Sequence, residues 1–130
     1  MESLIFDTTF LIDFQRERRT SPGAAHSFLE VHSEAIAYLP ITAYGEFAEG
    51  FASRTDSIFL SMVESFELVP ITRAIADTYA QITRRLRAKG RLIGANDLWI
   101  AASALQKNIP LVTRNAAEFS RIEGLEIRFY

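Results

Sequence analysis

Short apolar runs alternate with longer amphipathic stretches along the whole chain, and that rhythm predicts the order of its elements. Leu4-Ile5-Phe6 is a compact apolar run of the kind found in buried strands. A helical segment follows from about Thr8 to Arg19, and Pro22 suits the first turn of a second helix running to about Ser33. Ala35 to Leu39 reads as a second strand, closed by Pro40. Thr42 has the side chain of an N-cap for a third helix, in which Tyr44, Phe47, Ala48 and Phe51 recur at i, i+3, i+4 and i+7. A fourth helix around Asp56–Ser65 leads into a third strand, Phe66–Val69.

Beyond Pro70, Thr72 can cap a long helix reaching Lys89, with Gly90 as its stop. Asn96 is an N-cap candidate for a further helix, Asp97–Lys107. Leu111-Val112 reads as a strand, Asn115–Phe119 as a turn or short helix, and Glu126–Phe129 as a final edge strand. Strands alternating with helices predict an α/β fold, a three-layer sandwich with a mostly parallel central sheet flanked by helices. At 130 residues, the chain reads as a single domain, 1–130.

Composition narrows the function classes. With 48% hydrophobic residues the chain can build a substantial core, so disorder is not expected. The absence of cysteine excludes disulfides, thiolate metal sites and a cysteine nucleophile. The opening residues show no basic stretch ahead of an apolar run, and no run approaches a membrane span, so a cytoplasmic protein is expected. A net charge of −2 is unlike that of a nucleic-acid binder. The cations are nonetheless grouped: Arg16, Arg18 and Arg19 in one cluster, and Arg84, Arg85, Arg87, Lys89 and Arg91 in another. Solvated helix faces would produce the same grouping.

The acidic residues carry the chemistry. Ligands of open α/β sheets bind at the carboxyl ends of the strands. Asp7 directly follows the first strand, Glu46 lies one turn into the helix after the second, and Thr113, Asn115 and Glu118 follow Leu111-Val112. Asp97 opens an unusually apolar helix, Leu98-Trp99-Ile100-Ala101-Ala102, whose burial would bring its first turn against the sheet. Carboxylates sharing a pocket raise one another's pKa values. A hard cation such as Mg²⁺ relieves that repulsion through one or two of them while keeping several waters. Glu49 competes with Glu46 for the inward position, since helical phase does not separate them. Asp13, Asp56 and Asp77 read as structural residues on polar faces, and His26 and His32 as surface histidines.

Ile93-Gly94-Ala95-Asn96-Asp97-Leu98-Trp99-Ile100-Ala101-Ala102 resembles the third-acid segment of PIN-domain ribonucleases, specifically the VapC-like toxins of toxin–antitoxin pairs. Phe6-Asp7-Thr8 is similar to that family's opening strand and first metal-binding Asp. Thr42-Ala43-Tyr44-Gly45-Glu46 is similar to the segment bearing its Glu, Leu111 through Phe119 to its fourth segment, and Gly124-Leu125-Glu126-Ile127 to its closing strand. The resemblance implies an endoribonuclease that hydrolyses phosphodiesters through a metal-activated water. Asp7 and Asp97 would bind Mg²⁺ or Mn²⁺, and Glu46 would hold the site or position water. Thr8 and Thr113 would orient carboxylates and waters.

The fourth acid departs from the pattern. Relatives carry Asp either where Asn115 stands or just before the Phe, where this chain has Glu118. Both remain candidates, with Glu118 favoured because only it restores the charge. The resemblance also implies a homodimer, a cognate antitoxin, and an RNA-contacting role for Arg87, Lys89 and Arg91. Phe10, Phe14, Phe47 and Phe51 could line a groove for an antitoxin segment or simply fill the core. A different class, a catalytically weak PIN fold that binds RNA or protein, is favoured only by the altered fourth acid. A haloacid-dehalogenase-like phosphatase would need Asp at position 9, which is Thr, and no glycine-rich phosphate loop or nucleophile elbow is present.

Overall fold

The computed structural model describes residues 1–130. Its elements run β1 (Ser3–Phe6), α1 (Thr8–Arg19), α2 (Ala24–Val31), β2 (Ile36–Pro40), α3 (Ile41–Ala48), α4 (Ser57–Val63), β3 (Glu67–Val69), α5 (Arg73–Ala88), α6 (Ala95–Lys107), β4 (Leu111–Val112), α7 (Ala116–Phe119) and β5 (Ile127–Arg128). The five strands form one sheet in the order β3-β2-β1-β4-β5, and every pairing is parallel. The expected α/β sandwich is therefore present, with a fully parallel sheet.

Alternation along the central strands divides the core. Leu4, Phe6 and Val112 join Phe10 and Ala25 in a small cluster, while Ile5 and Leu111 join the larger cluster built with α3 to α6. Successive strand side chains point to opposite faces, so the two clusters pack on the two sides of the sheet. The chain lays down β1, β2 and β3 in one direction, then returns to place β4 on the other side of β1. The β1/β4 edge is thus the topological switch point, where α/β sheets open a crevice. The register pairs Ile5 with Leu111 and Phe6 with Val112, which sets Asp7 beside Thr113.

Three helix starts differ from expectation. Pro22 lies ahead of α2, which begins at Ala24 and has no cap from its own N-cap residue, Gly23. The cap comes from α1 instead. The buried Glu17 carboxylate accepts from the backbone N–H groups of Gly23 (2.7 Å), Ala25 (3.0 Å) and His26 (3.0 Å). A Cβ on Gly23 would sit 3.1 Å from that carboxylate, so glycine allows the close approach. Thr42 does not cap α3: the helix begins at Ile41 behind Pro40 and ends at Ala48, short of Phe51. Asn96 does not cap α6, which begins at Ala95 with Gly94 in the N-cap position, and this frees the Asn96 side chain for another partner. By contrast, Asp56 and Thr72 cap α4 and α5 through their side chains.

The four phenylalanines do not share a groove. Phe10 is buried, stacks with Phe14 and packs edge-on against Phe28 and Tyr130, whereas Phe47 and Phe51 pack with Phe59. Core filling claims Phe10 and Phe47, because each ring buries more apolar surface inside than a groove wall would allow. The histidines are also less exposed than a surface reading implies. His26 stacks on Phe14 with its Nδ1 2.7 Å from Glu17, and His32 stacks on Phe28 with its Nδ1 2.7 Å from Glu2.

Candidate active site

Asp7 directly follows β1 with extended backbone and serves as the N-cap of α1, its Oδ1 accepting from the Phe10 N–H at 3.0 Å. Its other oxygen accepts from the Thr113 hydroxyl at 2.6 Å, and Thr113 Oγ1 accepts in turn from the Asn115 N–H at 2.9 Å. This chain of bonds joins residues 106 apart in sequence and exists only because β4 pairs with β1. Asp7 is 3% exposed and Thr113 fully buried, so both rotamers are fixed by packing as well as by hydrogen bonds.

Asp97 sits in the first turn of α6, half-buried, where the helix N-terminus favours negative charge. Glu46 lies on the exposed side of α3, and its Oε1 accepts from the Asn96 side-chain amide at 2.8 Å. Glu46 and Glu49 are both exposed and both line a groove between α1 and α3, but of the two only Glu46 bonds to α6, through Asn96. Glu118 is in the single turn of α7, half-buried, while Asn115 occupies the N-cap position with no side-chain capping bond.

Electrostatics tie the four acids together. Burial pushes the Asp7 carboxyl up to about 6, against the lowering effect of the Thr113 and Phe10 hydrogen bonds, and the charges of Asp97 and Asp13 add to the rise. Asp97 is also raised, first by burial, then by Glu118, then by Glu46. Each carboxylate is therefore felt by another, and Glu118 is the strongest charge acting on Asp97. Carboxyls perturbed by burial together with neighbouring charges are candidates for a functional site.

A divalent cation fits this donor set. All the candidate donors are oxygens, and a cation would relieve the repulsion that raises Asp7 and Asp97. Thr8 contributes a buried hydroxyl oxygen with no hydrogen-bond partner beside the Asp7 segment. No three acidic or histidine side chains are grouped to hold an ion by themselves, so a cation here would take only one or two of these carboxylates and keep several waters.

Asp13 departs from its expected place on a polar face. It is 2% exposed, and its Oδ2 accepts from the Tyr130 hydroxyl at 2.7 Å and lies 3.3 Å from the Arg114 guanidinium. Arg16 approaches Oδ1 at 3.0 Å, close enough for charge pairing but without hydrogen-bond geometry. Asp13 thus pins Tyr130 and the loop after β4 to α1, six residues beyond Asp7. No local signal reveals this role, apart from an Asp and a terminal Tyr that the sequence leaves without partners. The Arg87, Lys89 and Arg91 side chains lie exposed at the end of α5 and in the following loop, and none of them pairs with a carboxylate.

The PIN domain family model matches residues 4–125, and the chain belongs to the PIN-domain family, as a VapC-like member. It is 34% identical over 128 residues to Ribonuclease VapC1 of Methanocaldococcus jannaschii, covering 98% of this chain and 86% of that protein. Ribonuclease VapC2 of Rickettsia felis is 40% identical over 68 residues, 52% of this chain and 48% of that one. Among solved structures, VapBC-1 from nontypeable Haemophilus influenzae superposes with a TM-score of 0.77 at 26% identity, covering 98% of this chain and 97% of that chain. VapBC2 from Rickettsia felis, bound to a DNA fragment from its promoter, gives 0.81 at 23% identity over 98% of each chain, a likeness of fold alone.

Proposed function

We propose that this protein is a Mg²⁺- or Mn²⁺-dependent endoribonuclease and the toxin of a toxin–antitoxin pair. The observation that carries the reading is the convergence at the sheet's switch point, where Asp7 is held by Thr113 across β1 and β4 and the charge of Asp97 adds to its rise. The ribonuclease names of the relatives and the toxin–antitoxin complexes among the structural neighbours support the substrate class and the partner.

In this reading Asp7 and Asp97 would hold the ion, whose positive charge would activate water at neutral pH and offset charge developing on a phosphodiester. Thr113 donates to Asp7 Oδ2, keeping that carboxylate in one rotamer and leaving its remaining lone pairs for ligation. Asn96 orients Glu46 in the same way, so that Glu46 can accept a proton from water on the exposed side of the cluster. Glu118 supplies the fourth acid, with Asn115 held beside it through Thr113. Thr8 offers its unpartnered hydroxyl to a water or a phosphate oxygen.

The chain works as a homodimer in the cytoplasm, neutralised by a cognate antitoxin. No helix is long and apolar enough to cross a membrane. Beside the cluster, the groove between α1 and α3, with Thr8, Ile12, Glu46 and Phe51 in its walls, offers an antitoxin segment access to the site.

The test is cleavage of labelled total RNA by partner-free protein in Mg²⁺, Mn²⁺ or EDTA, with folded Asp7→Asn and Asp97→Asn alongside. Discrete fragments that need metal and disappear in both variants support the reading. Cleavage that survives EDTA, or that the variants retain, removes it. Binding without cleavage by every form points to a binding module instead.

A further inference from the structure

Away from the acids, the last two turns of α5 face the segment that follows α7 across a narrow cleft. Arg85 and Lys89 stand on one wall and Arg121 on the other, over a floor of Ile82, Leu86 and Ile122. A single carboxylate, Glu123, sits in the lining, so three cations face one acid. None of the three cations makes an ion pair anywhere in the structure. The negative end of the α5 dipole favours Arg85 and Lys89 at that helix terminus. It gives no reason for Arg121, which arrives from a different segment.

Hydrogen bonds connect one wall of the cleft to the segments that carry Glu118 and Asp97. The Arg121 backbone N–H donates to the carbonyl of Glu118 (3.1 Å), and its guanidinium donates to the carbonyl of Leu92 (3.3 Å). Leu92 lies two residues before the Gly94 that opens α6, and Asp97 is in that helix's first turn. Arg121 therefore ties the segment before α6 to the segment after α7, and it also lines the cleft.

We propose that the cleft between the end of α5 and the segment after α7 is a phosphate-binding subsite for single-stranded RNA. It engages, through Arg85, Lys89 and Arg121, a backbone phosphate several nucleotides from the scissile bond. Three exposed cations from two separate segments, none of them paired with a carboxylate, suit a phosphate of the RNA backbone. The assignment rests on the ribonuclease reading and redraws its basic surface. Of the cations that the sequence suggested, Lys89 lines the cleft, whereas Arg87 and Arg91 do not.

The test separates binding from cleavage. Fluorescence anisotropy in EDTA would follow mixed-sequence single-stranded RNA of twelve and of four nucleotides binding to wild type, Lys89→Gln, Arg85→Gln and Arg121→Gln. Arg19→Gln serves as a control for surface charge, and thermal melts confirm folding. Each cleft variant is expected to weaken the longer RNA about three- to tenfold, to lower the salt slope by about 0.7, and to leave the shorter RNA unchanged. Lys89→Gln and Arg85→Gln keep the test sound if Arg121→Gln loosens its segment. Unchanged affinity and slope for the longer RNA would overturn the subsite, and so would equal losses on both lengths, which place these residues at the scissile phosphate. Wild type that binds no RNA would overturn the subsite together with the function on which it rests. Wild type that binds but does not cut in Mg²⁺ or Mn²⁺ would remove only the nuclease reading.

Discussion

Replacing Asp7 by Asn should inactivate the protein and at the same time stabilise it. The folded state holds Asp7 at about 6, against 3.8 for the unperturbed group. Between those values the native state keeps a proton that the unfolded chain has lost, so stability falls as pH rises through the window. A rise of about two units corresponds to roughly 3 kcal/mol withheld from the native state above pH 6. Asparagine removes that cost and still caps α1 by accepting from Phe10. The Thr113 hydroxyl proton, however, loses its carboxylate acceptor, at about 1–2 kcal/mol. The net expectation is a gain of about 1–2 kcal/mol at pH 7.5, vanishing or reversing near pH 4.5. Urea unfolding in EDTA at the two pH values reads this difference directly. At pH 7.5, Mg²⁺ should then stabilise wild type but not the variant, because only a ligand bound by the native state shifts unfolding. An Asp7→Asn protein that is less stable than wild type at pH 7.5, or whose difference from wild type ignores pH, would refute the assignment of Asp7 as a strained, functional carboxyl.

Other outcomes follow from the same geometry. Burial pushes Glu17 upward, but the N–H groups of His26, Ala25 and Gly23 and the His26 ring outweigh it and hold the carboxyl at about 2. Glu17 therefore stabilises the fold above pH 4.5 and loses that contribution as pH falls toward 2. Glu17→Ala should cost roughly 2–4 kcal/mol in urea unfolding at neutral pH, with the amides of α2 losing hydrogen-exchange protection first. Thr113→Val removes the donor that lowers Asp7, so the acid limb of Mn²⁺ binding, followed by calorimetry, should move to higher pH. Tyr130→Phe takes one hydrogen bond from the buried Asp13 and should lower stability by about 1–2 kcal/mol in a denaturant titration, while leaving Mn²⁺ affinity intact.

Much of the site was legible because its residues are punctuation marks in the sequence. Asp7 and Thr113 immediately follow apolar runs, and in a parallel sheet such positions share one end. Asp97 was marked by the apolar helix it opens. The choice between Glu46 and Glu49 was not legible, because adjacent turns of a short helix offer both and only the Asn96 amide distinguishes them. Asn96 itself was misread as a cap, since a polar residue ahead of an apolar helix is the usual cap signal, whereas the loop after Gly90 delivers Gly94 to that position. The missing local cap ahead of Ala24 was a signal that the acceptor must come from elsewhere, but it could not name Glu17.

The sequence by itself determined the order and type of the elements, the parallel sheet and the presence of an oxygen-rich cluster at one end. Those features depend on near neighbours: hydrophobic period, turn residues, and the handful of positions after each strand. Tertiary structure alone decided that β4 returns to the far side of β1. That return joins Thr113 to Asp7, sets Asp13 under Tyr130 and brings Arg121 opposite Lys89. Pairings of this kind are settled by which apolar faces bury best against one another, a sum over the whole core that no local stretch of chain contains.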